Sequence, residues 1–469
     1  MPRIAATRPA FRIQMRAIYF LLLASLFLSF WKVIVRLRGR HLVLTPILGW
    51  IVGLGFFILM PLTFIVLNGG YKFPDFYDMS DKYSKLDLSD TSYFIPFMVI
   101  WLSLLLSLLA VILCTPRANP RQPGREVGID ESRLGRIIFI TAALTLLDYS
   151  VMVWLTGGVE SFLLSHWYRR AMELASRLGD GYVLYSWLSQ ANQTVFTAAA
   201  ALYTHFAVKR RTVNWRLLAL IILLFLLYVT IQGNRIFFAL YLLSVMTSSW
   251  LYGRKKLIAV LLTIAPALAL VFSAWAYFRS DLSNIGANVP VYAEQDLGNR
   301  AATYFMDACD GTGTMILFHV IHDFGSRYEF MYGTSYARVL FFMVPRSLFP
   351  EKPPGFAMQL AQVYEPGQMT SLAATQLGEL YVNFGVLSVV LLPLMTLLVL
   401  RLSNKLVEKS DNHILVSAVL FLLIIWSVRA TFEDNFITFL LAMFLVWAFR
   451  LAKGLCSSRS PGKVALTIS

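Results

Sequence analysis

The residues in this chain that could do chemistry are arginines and a few acids. Arg235 begins an apolar run, and only Gly233 and Asn234 part it from the run before. So tight a turn, Gln232-Gly233-Asn234-Arg235, holds a guanidinium at membrane-surface depth, where the phosphates of a lipid-linked substrate would lie. Guanidinium is planar, permanently charged and matched to bidentate contact with phosphate oxygens. A simple hairpin cap is the plainer reading of the same turn. Arg170 and Arg300 share a spacing, since ten residues separate each from a glycine, Gly181 and Gly311. Glu379, in Gly378-Glu379-Leu380-Tyr381-Val382-Asn383-Phe384-Gly385, stands at the mouth of another apolar run. Burial there would raise its pKa and make it a better base near neutral pH. An acid that merely complements a helix N-terminus is the competing reading. Asp310, beside Gly311, is a second candidate acid.

Two further clusters carry less. Residues 345–355, Pro-Arg-Ser-Leu-Phe-Pro-Glu-Lys-Pro-Pro-Gly, hold four prolines and read as a stiff turn presenting Arg346 and Lys352 as a cationic lip, or as a helix terminator with solvated charges. His319, His322 and Asp323 form a His-x-x-His-Asp cluster. The i, i+3 spacing places both histidines on one helix face, but no further ligand is evident, so no metal is expected.

These residues need a scaffold, and the composition says which. Of 469 residues 58% are hydrophobic and 14% charged, with a mean hydropathy of +0.64. Soluble domains run about 45–50% apolar and about 25% charged. The chain is therefore expected to be an all-α polytopic membrane protein, a single integral membrane domain over 1–469. Soluble enzymes, nucleic-acid-binding modules and disulfide scaffolds are excluded. Cys114, Cys309 and Cys456 lie far apart and define neither a disulfide framework nor a zinc site. A span needs about 20 mostly apolar residues. By that rule spans are expected at 17–35, 42–68, 92–114, 136–156, 185–207, 216–232, 235–252, 257–277, 380–400, 413–429 and 434–451, so about 10–12 in all.

The charges orient them. Segments 32–41, 115–136, 209–216, 254–256, 401–409 and 450–463 hold 23 of the 41 Lys and Arg, are short, and alternate along the chain as cytoplasmic loops do. The net charge of +15 is thus largely topology, and no nucleic-acid partner is expected. One conflict remains. Arg3, Arg8, Arg12 and Arg16 put positive charge at an N-terminus that the alternation assigns outside, so the first segment either spans or lies in the interface. The opposite loops include 69–91, 157–184 and a large segment, 278–377, whose half-apolar stretches 314–324 and 336–349 read as re-entrant or interfacial helices. Ten arginines fall outside on this topology: Arg169, Arg170, Arg177, Arg235, Arg279, Arg300, Arg327, Arg338, Arg346 and Arg429. Helix-end snorkelling accounts best for Arg279 and Arg429. Ten together call for an anionic partner. No Walker A motif, Rossmann glycine fingerprint or internal repeat is present, and Asp148 is the main charge within a span.

This pattern resembles the bacterial O-antigen polymerases of the Wzy type, the oligosaccharide repeat unit polymerases. The resemblance is carried by ten or more spans, the outer hairpin Gly233-Asn234-Arg235, a medium outer loop opening with Gly157-Gly158, and one large late outer loop. Its sharper parts are the Pro345-Arg346 to Lys352-Pro353 turn, Glu379 to Gly385 and the paired Arg-x10-Gly spacing. It implies a GT-C-like enzyme of the bacterial inner membrane that joins undecaprenyl-diphosphate-linked oligosaccharide units at the periplasmic face, with no cofactor. A sugar hydroxyl of one unit attacks the anomeric carbon of the growing chain, and lipid diphosphate leaves. On the resemblance, Arg235, Arg300 and Arg346 hold the diphosphate, Arg170 holds the other lipid-linked substrate, Glu379 is the base and Asp310 its reserve. A polysaccharide chain-length regulator and a flippase are the implied partners. Related ligases carry a His near Glu379, so the acid here favours polymerase over ligase. A flippase is the rival from another class, and it would need charged spans and paired halves.

Overall fold

A backbone in hydrocarbon must satisfy its own hydrogen bonds, so apolar runs of this length fold as helices. The computed structural model describes residues 9–38, 44–72, 85–114, 131–158, 176–179, 181–228, 235–263, 311–341, 351–364, 374–410 and 413–457, with Leu174, Met306, Val344, Leu348, Phe349 and Leu372 between them. Its helices are α1 (Pro9–Arg38), α2 (Pro46–Leu54), α3 (Met60–Asn68), α4 (Phe94–Cys114), α5 (Glu131–Leu155), α6 (Gly181–Arg210), α7 (Trp215–Leu227) and α8 (Arg235–Leu251). After these come α9 (Gly311–Asp323), α10 (Phe356–Tyr364), α11 (Thr375–Phe384), α12 (Ser388–Lys409), α13 (His413–Arg429) and α14 (Phe432–Ser457).

Among the described residues five stretches are long and apolar enough to cross a membrane: Gln14–Leu37, Pro46–Asn68, Thr91–Leu113, Leu134–Leu155 and Thr375–Lys409. The chain is a helical membrane protein. Shorter apolar helices occupy four more expected runs, Trp215–Leu227, Phe237–Leu251, His413–Arg429 and Asn435–Trp447. The run expected at 257–277 is helical through 263, and the rest of it lies outside the described residues. The first segment is a long helix and not a surface strip. Tyr19 packs on Phe97, and the indole of Trp101 donates to the carbonyl of Leu22 at 3.0 Å, so α1 runs parallel to α4. The guanidinium of Arg16 consequently rests against Gly69, at the end remote from the Lys- and Arg-rich loops.

The expectation of helix alone is corrected at one place. β1 (Gly70–Lys72) pairs antiparallel with β2 (Lys85–Asp87), Gly70 facing Asp87. Gly69 ends α3 in the left-handed region at φ 70°, which turns the chain out of the helix. Three-residue strands are too short to show alternation in a sequence.

Packing centres on α13, which is buried from Ile414 to Ile425 and touches α2, α6, α12 and α14. It meets α2 at Gly49 and Gly53, where a Cβ would strike the carbonyl oxygens of Phe421 and Ile425. Small residues let two backbones approach this closely in a membrane bundle. Between α2 and α3 lies a π-turn, Gly55–Leu59. Pro61 has no N–H for the carbonyl of Phe57, and the hydroxyl of Thr314 donates to that carbonyl instead, at 3.1 Å. Thr314 belongs to α9, the helix expected over 314–324, and α9 is sunk against α3, α4 and α11. Of the helix expected over 336–349, the described residues show a short helical turn at 334–341 and no helix at Val344, Leu348 or Phe349, the others lying outside the described residues; α10 lies further on, unforeseen.

Candidate functional site

Glu379 lies in the second turn of α11, behind Ala374, which precedes the helix. It does not complement the N-terminus of its own helix. Its carboxylate is completely buried and instead reaches the start of α14, where the N–H of Phe432 donates to Oε2 at 2.7 Å. The first N–H groups of a helix have no intrahelical acceptor, so Glu379 caps α14 from a neighbouring helix. The hydroxyl of Ser335 donates to Oε1 at 2.9 Å. Asn383, one turn beyond Glu379, donates from Nδ2 to the Ser335 oxygen at 2.9 Å and to the Glu379 carbonyl at 2.7 Å. Its Oδ1 accepts from the N–H of Gly333 at 2.8 Å, and the N–H of Met331 donates to the carbonyl of Val382 at 2.9 Å. Residues 331–335 are thereby stitched along α11. Gly385 then breaks the run at φ 57°, with the ring of Phe330 lying where a side chain would project.

Tyr336 completes the cluster. Its ring stacks on Phe384 at 5.8 Å and tilts against Phe432 at 5.1 Å. Burial, and then the charge of Glu379, push its phenol above the usual range.

Positive charge stands at the same end. Arg429, in the last turn of α13, lies over the Trp426 ring at 4.8 Å. Phe237 of α8 is parallel to that indole, 7° between planes at 6.2 Å. Arg235 opens α8 two residues before Phe237, and its side chain is outside the described residues. Three elements thus meet: the start of α8, the end of α13 with Arg429, and the start of α14 on Glu379. Arg429 reads in sequence as a plain helix-end arginine. Ser335 and Phe432 carry no sequence signal, and Asn383 does, one helical turn from Glu379 in Gly378–Gly385.

Arg170, Arg300, Arg346 and Asp310, with Arg169 and Arg279, lie outside the described residues. Arg177 is exposed. Arg327 is taken by Asp323, Nη1 to Oδ1 at 2.8 Å. Lys352 corrects the cationic lip, because it is buried and its Nζ donates to the carbonyl of Val344 at 3.1 Å. A turn without helical bonds leaves carbonyls in need of donors, and the ammonium serves one. The histidine cluster diverges. Nδ1 of His322 meets Asp323 Oδ1 at 2.9 Å, while Nδ1 of His319 meets the Tyr93 hydroxyl at 3.3 Å. Burial, opposed by Asp323, lowers the His319 pKa to about 4. Among the described residues no three His, Cys, Asp or Glu converge as metal ligands. Asp148, the charge within a span, accepts from the hydroxyls of Tyr185 and Ser189, the latter at 2.6 Å, and Gln193 donates to Ser189 at 3.2 Å. That pairing accounts for the polar face of α6.

No family model matches the chain, no curated protein is significantly similar to it, and no solved structure matches it.

Proposed function

We propose that the chain is a glycosyltransferase of GT-C-like build that polymerises undecaprenyl-diphosphate-linked oligosaccharide units into a surface polysaccharide at the periplasmic face of the bacterial inner membrane. The observation that carries this reading is the buried Glu379 carboxylate, organised by Ser335 and Phe432 at the bundle end where Arg429 and the start of α8 also stand. In the reaction a sugar hydroxyl of one unit gives its proton to the carboxylate as its oxygen bonds to the anomeric carbon of the growing chain. The bond from that carbon to the diphosphate oxygen breaks, and the diphosphate leaves with the electron pair. Much of the driving force falls to the leaving group and the cations that receive it. Arg235, Arg300 and Arg346 are assigned to the departing diphosphate and Arg170 to the other lipid-linked substrate, with Asp310 the reserve base. A flippase and a chain-length regulator would work alongside.

The test is the glycan profile of cells expressing Arg235→Ala or Glu379→Gln. Each variant is expected to leave single lipid-linked units without further repeats. Long-chain polysaccharide from stably expressed Glu379→Gln protein overturns Glu379 as base. A ligase would instead leave long polymer on the lipid carrier.

A further inference from the structure

Two basic turns meet at the end of α8 remote from Arg235. Residues 209–216 and 254–256 hold seven Lys and Arg, and from 181 to 280 the sequence contains no Asp or Glu. Arg254 ties the turns together. Its Nε and Nη2 donate to the carbonyl of Val208 at 3.3 and 3.1 Å, and Nη2 reaches the carbonyl of Lys209 at 3.3 Å. The last carbonyls of a helix have no intrahelical donor, so this guanidinium is spent on closing α6. Tyr203 fixes the first turn from the other side. Its hydroxyl accepts from the N–H of Asn214 at 2.7 Å and donates to the Asn214 carbonyl at 3.0 Å. Oδ1 of Asn214 in turn caps α7, accepting from the N–H groups of Arg216 and Leu217.

Arg211, Arg216, Lys255 and Lys256 are exposed and, among the described residues, make no ion pair. Like charges on fixed neighbouring turns repel one another, and an anion set among them relieves that repulsion. One of the four is kept against the backbone's preference. Arg211 ends α6 in the left-handed region at φ 60°, where glycine is unstrained and a residue with a side chain is not. Trp215 sets the depth of the patch. It opens the apolar helix α7 and is 73% exposed, and indole at the end of such a helix marks the headgroup level of a bilayer. Phosphate at that level belongs to lipid, and it suits guanidinium and ammonium alike. We propose that these two turns bind the headgroup of an anionic phospholipid through Arg211, Arg216, Lys255 and Lys256, with Trp215 alongside its acyl chains. The occupant is a bilayer lipid and not a substrate, so the site is independent of the polymerase reading.

Arg211→Gly tests it, because glycine relieves the backbone while removing the charge. The full chain is purified in neutral detergent, and its affinities for phosphatidylglycerol and for zwitterionic phosphatidylcholine are measured by native mass spectrometry. The wild type is expected to prefer phosphatidylglycerol by roughly ten-fold or more. Arg211→Gly should lose about five-fold in that affinity yet unfold at or above the wild-type temperature. Arg216→Gln combined with Lys255→Gln should lose about 25-fold. Lys405→Gln, at an exposed lysine of α12 in a different basic stretch, should lose nothing. Equal affinity for the two lipids, wild-type binding by Arg211→Gly, or an equal loss in Lys405→Gln overturns the site. Displacement of the lipid by inorganic phosphate overturns it too, since the turns would then serve a soluble anion.

Discussion

Glu379 and Phe432, 53 positions apart, meet where the backbone N–H of Phe432 donates to Oε2 at 2.7 Å. One carboxylate thereby caps a helix that is not its own, and the candidate base is also a structural tie between α11 and α14.

Two substitutions separate those roles. Glu379→Gln keeps an acceptor for Phe432 and loses chiefly the attraction of charge to the α14 N-terminus, about 0.5–1 kcal/mol. Glu379→Ala leaves the Phe432 N–H and the Ser335 hydroxyl hydrogen without their carboxylate acceptor, about 1–3 kcal/mol for each. Thermal unfolding in detergent should rank wild type, Glu379→Gln and Glu379→Ala in that order. Equal midpoints for the two variants would show that the cap contributes nothing.

The contact of α2 with α13 depends on the absence of side chains. Gly49→Val drives a Cβ into the carbonyl of Phe421, a backbone atom that cannot turn aside, and should abolish accumulation of folded protein. Gly53→Ala, whose Cβ would lie 2.8 Å from the Ile425 oxygen, should destabilise less. Gly135→Ala serves as the control, because nothing lies within 4 Å of its Cβ position and the exchange favours helix by roughly 1 kcal/mol. Fluorescence-detected gel filtration of membrane extracts reads all three.

Histidine 319 confers a pH dependence of definite sign. Its folded pKa, lowered to about 4, lies below the ordinary 6.5, so between these values the unfolded chain binds more protons than the folded one. Stability is therefore whole above pH 6.5 and falls as pH drops towards 4, by at most ~3 kcal/mol. Unfolding midpoints measured from pH 7.5 to 4.5 should fall less steeply in His319→Gln. A steeper fall in that variant would contradict the assignment.

Asp148 is held by neutral hydroxyls, and the surrounding hydrocarbon disfavours its charge. Asp148→Asn keeps the shape and an acceptor, so its unfolding temperature should equal or exceed that of the wild type. A clear drop would mean that the charge itself stabilises the pairing of α5 with α6.

Much of the scaffold is legible in the sequence because hydrocarbon leaves the backbone few options, so the helices follow the apolar runs with shifted ends. The site is legible only where its members share a helix. Glu379 and Asn383 stand one turn apart, and a reader can place them together. Phe432 contributes a backbone N–H, which every residue but proline has, so no side chain could advertise it. Lys352 misleads for a related reason, since its ammonium answers the carbonyl of Val344, eight positions away, and nothing in the local pattern marks that carbonyl as needing a donor. The polarity of α6 makes it a poor span by composition, and the reason sits on another helix, in Asp148 and Thr141. The amide of Asn192 donates to the Thr141 carbonyl at 3.2 Å.

The break at Gly385 has a bearing on how such a chain can change. Above it, ten residues of α11 are sewn to the 331–335 segment, and below it, α12 packs on α4 and α13. A left-handed glycine leaves the two halves without a continuous helical hydrogen-bond ladder, so their sequences answer to different neighbours. Drift in the upper half can reshape the Glu379 cluster while the packing of α12 stays as it was. A splice at this joint is the natural place to exchange the cluster-bearing half without disturbing the helix that follows.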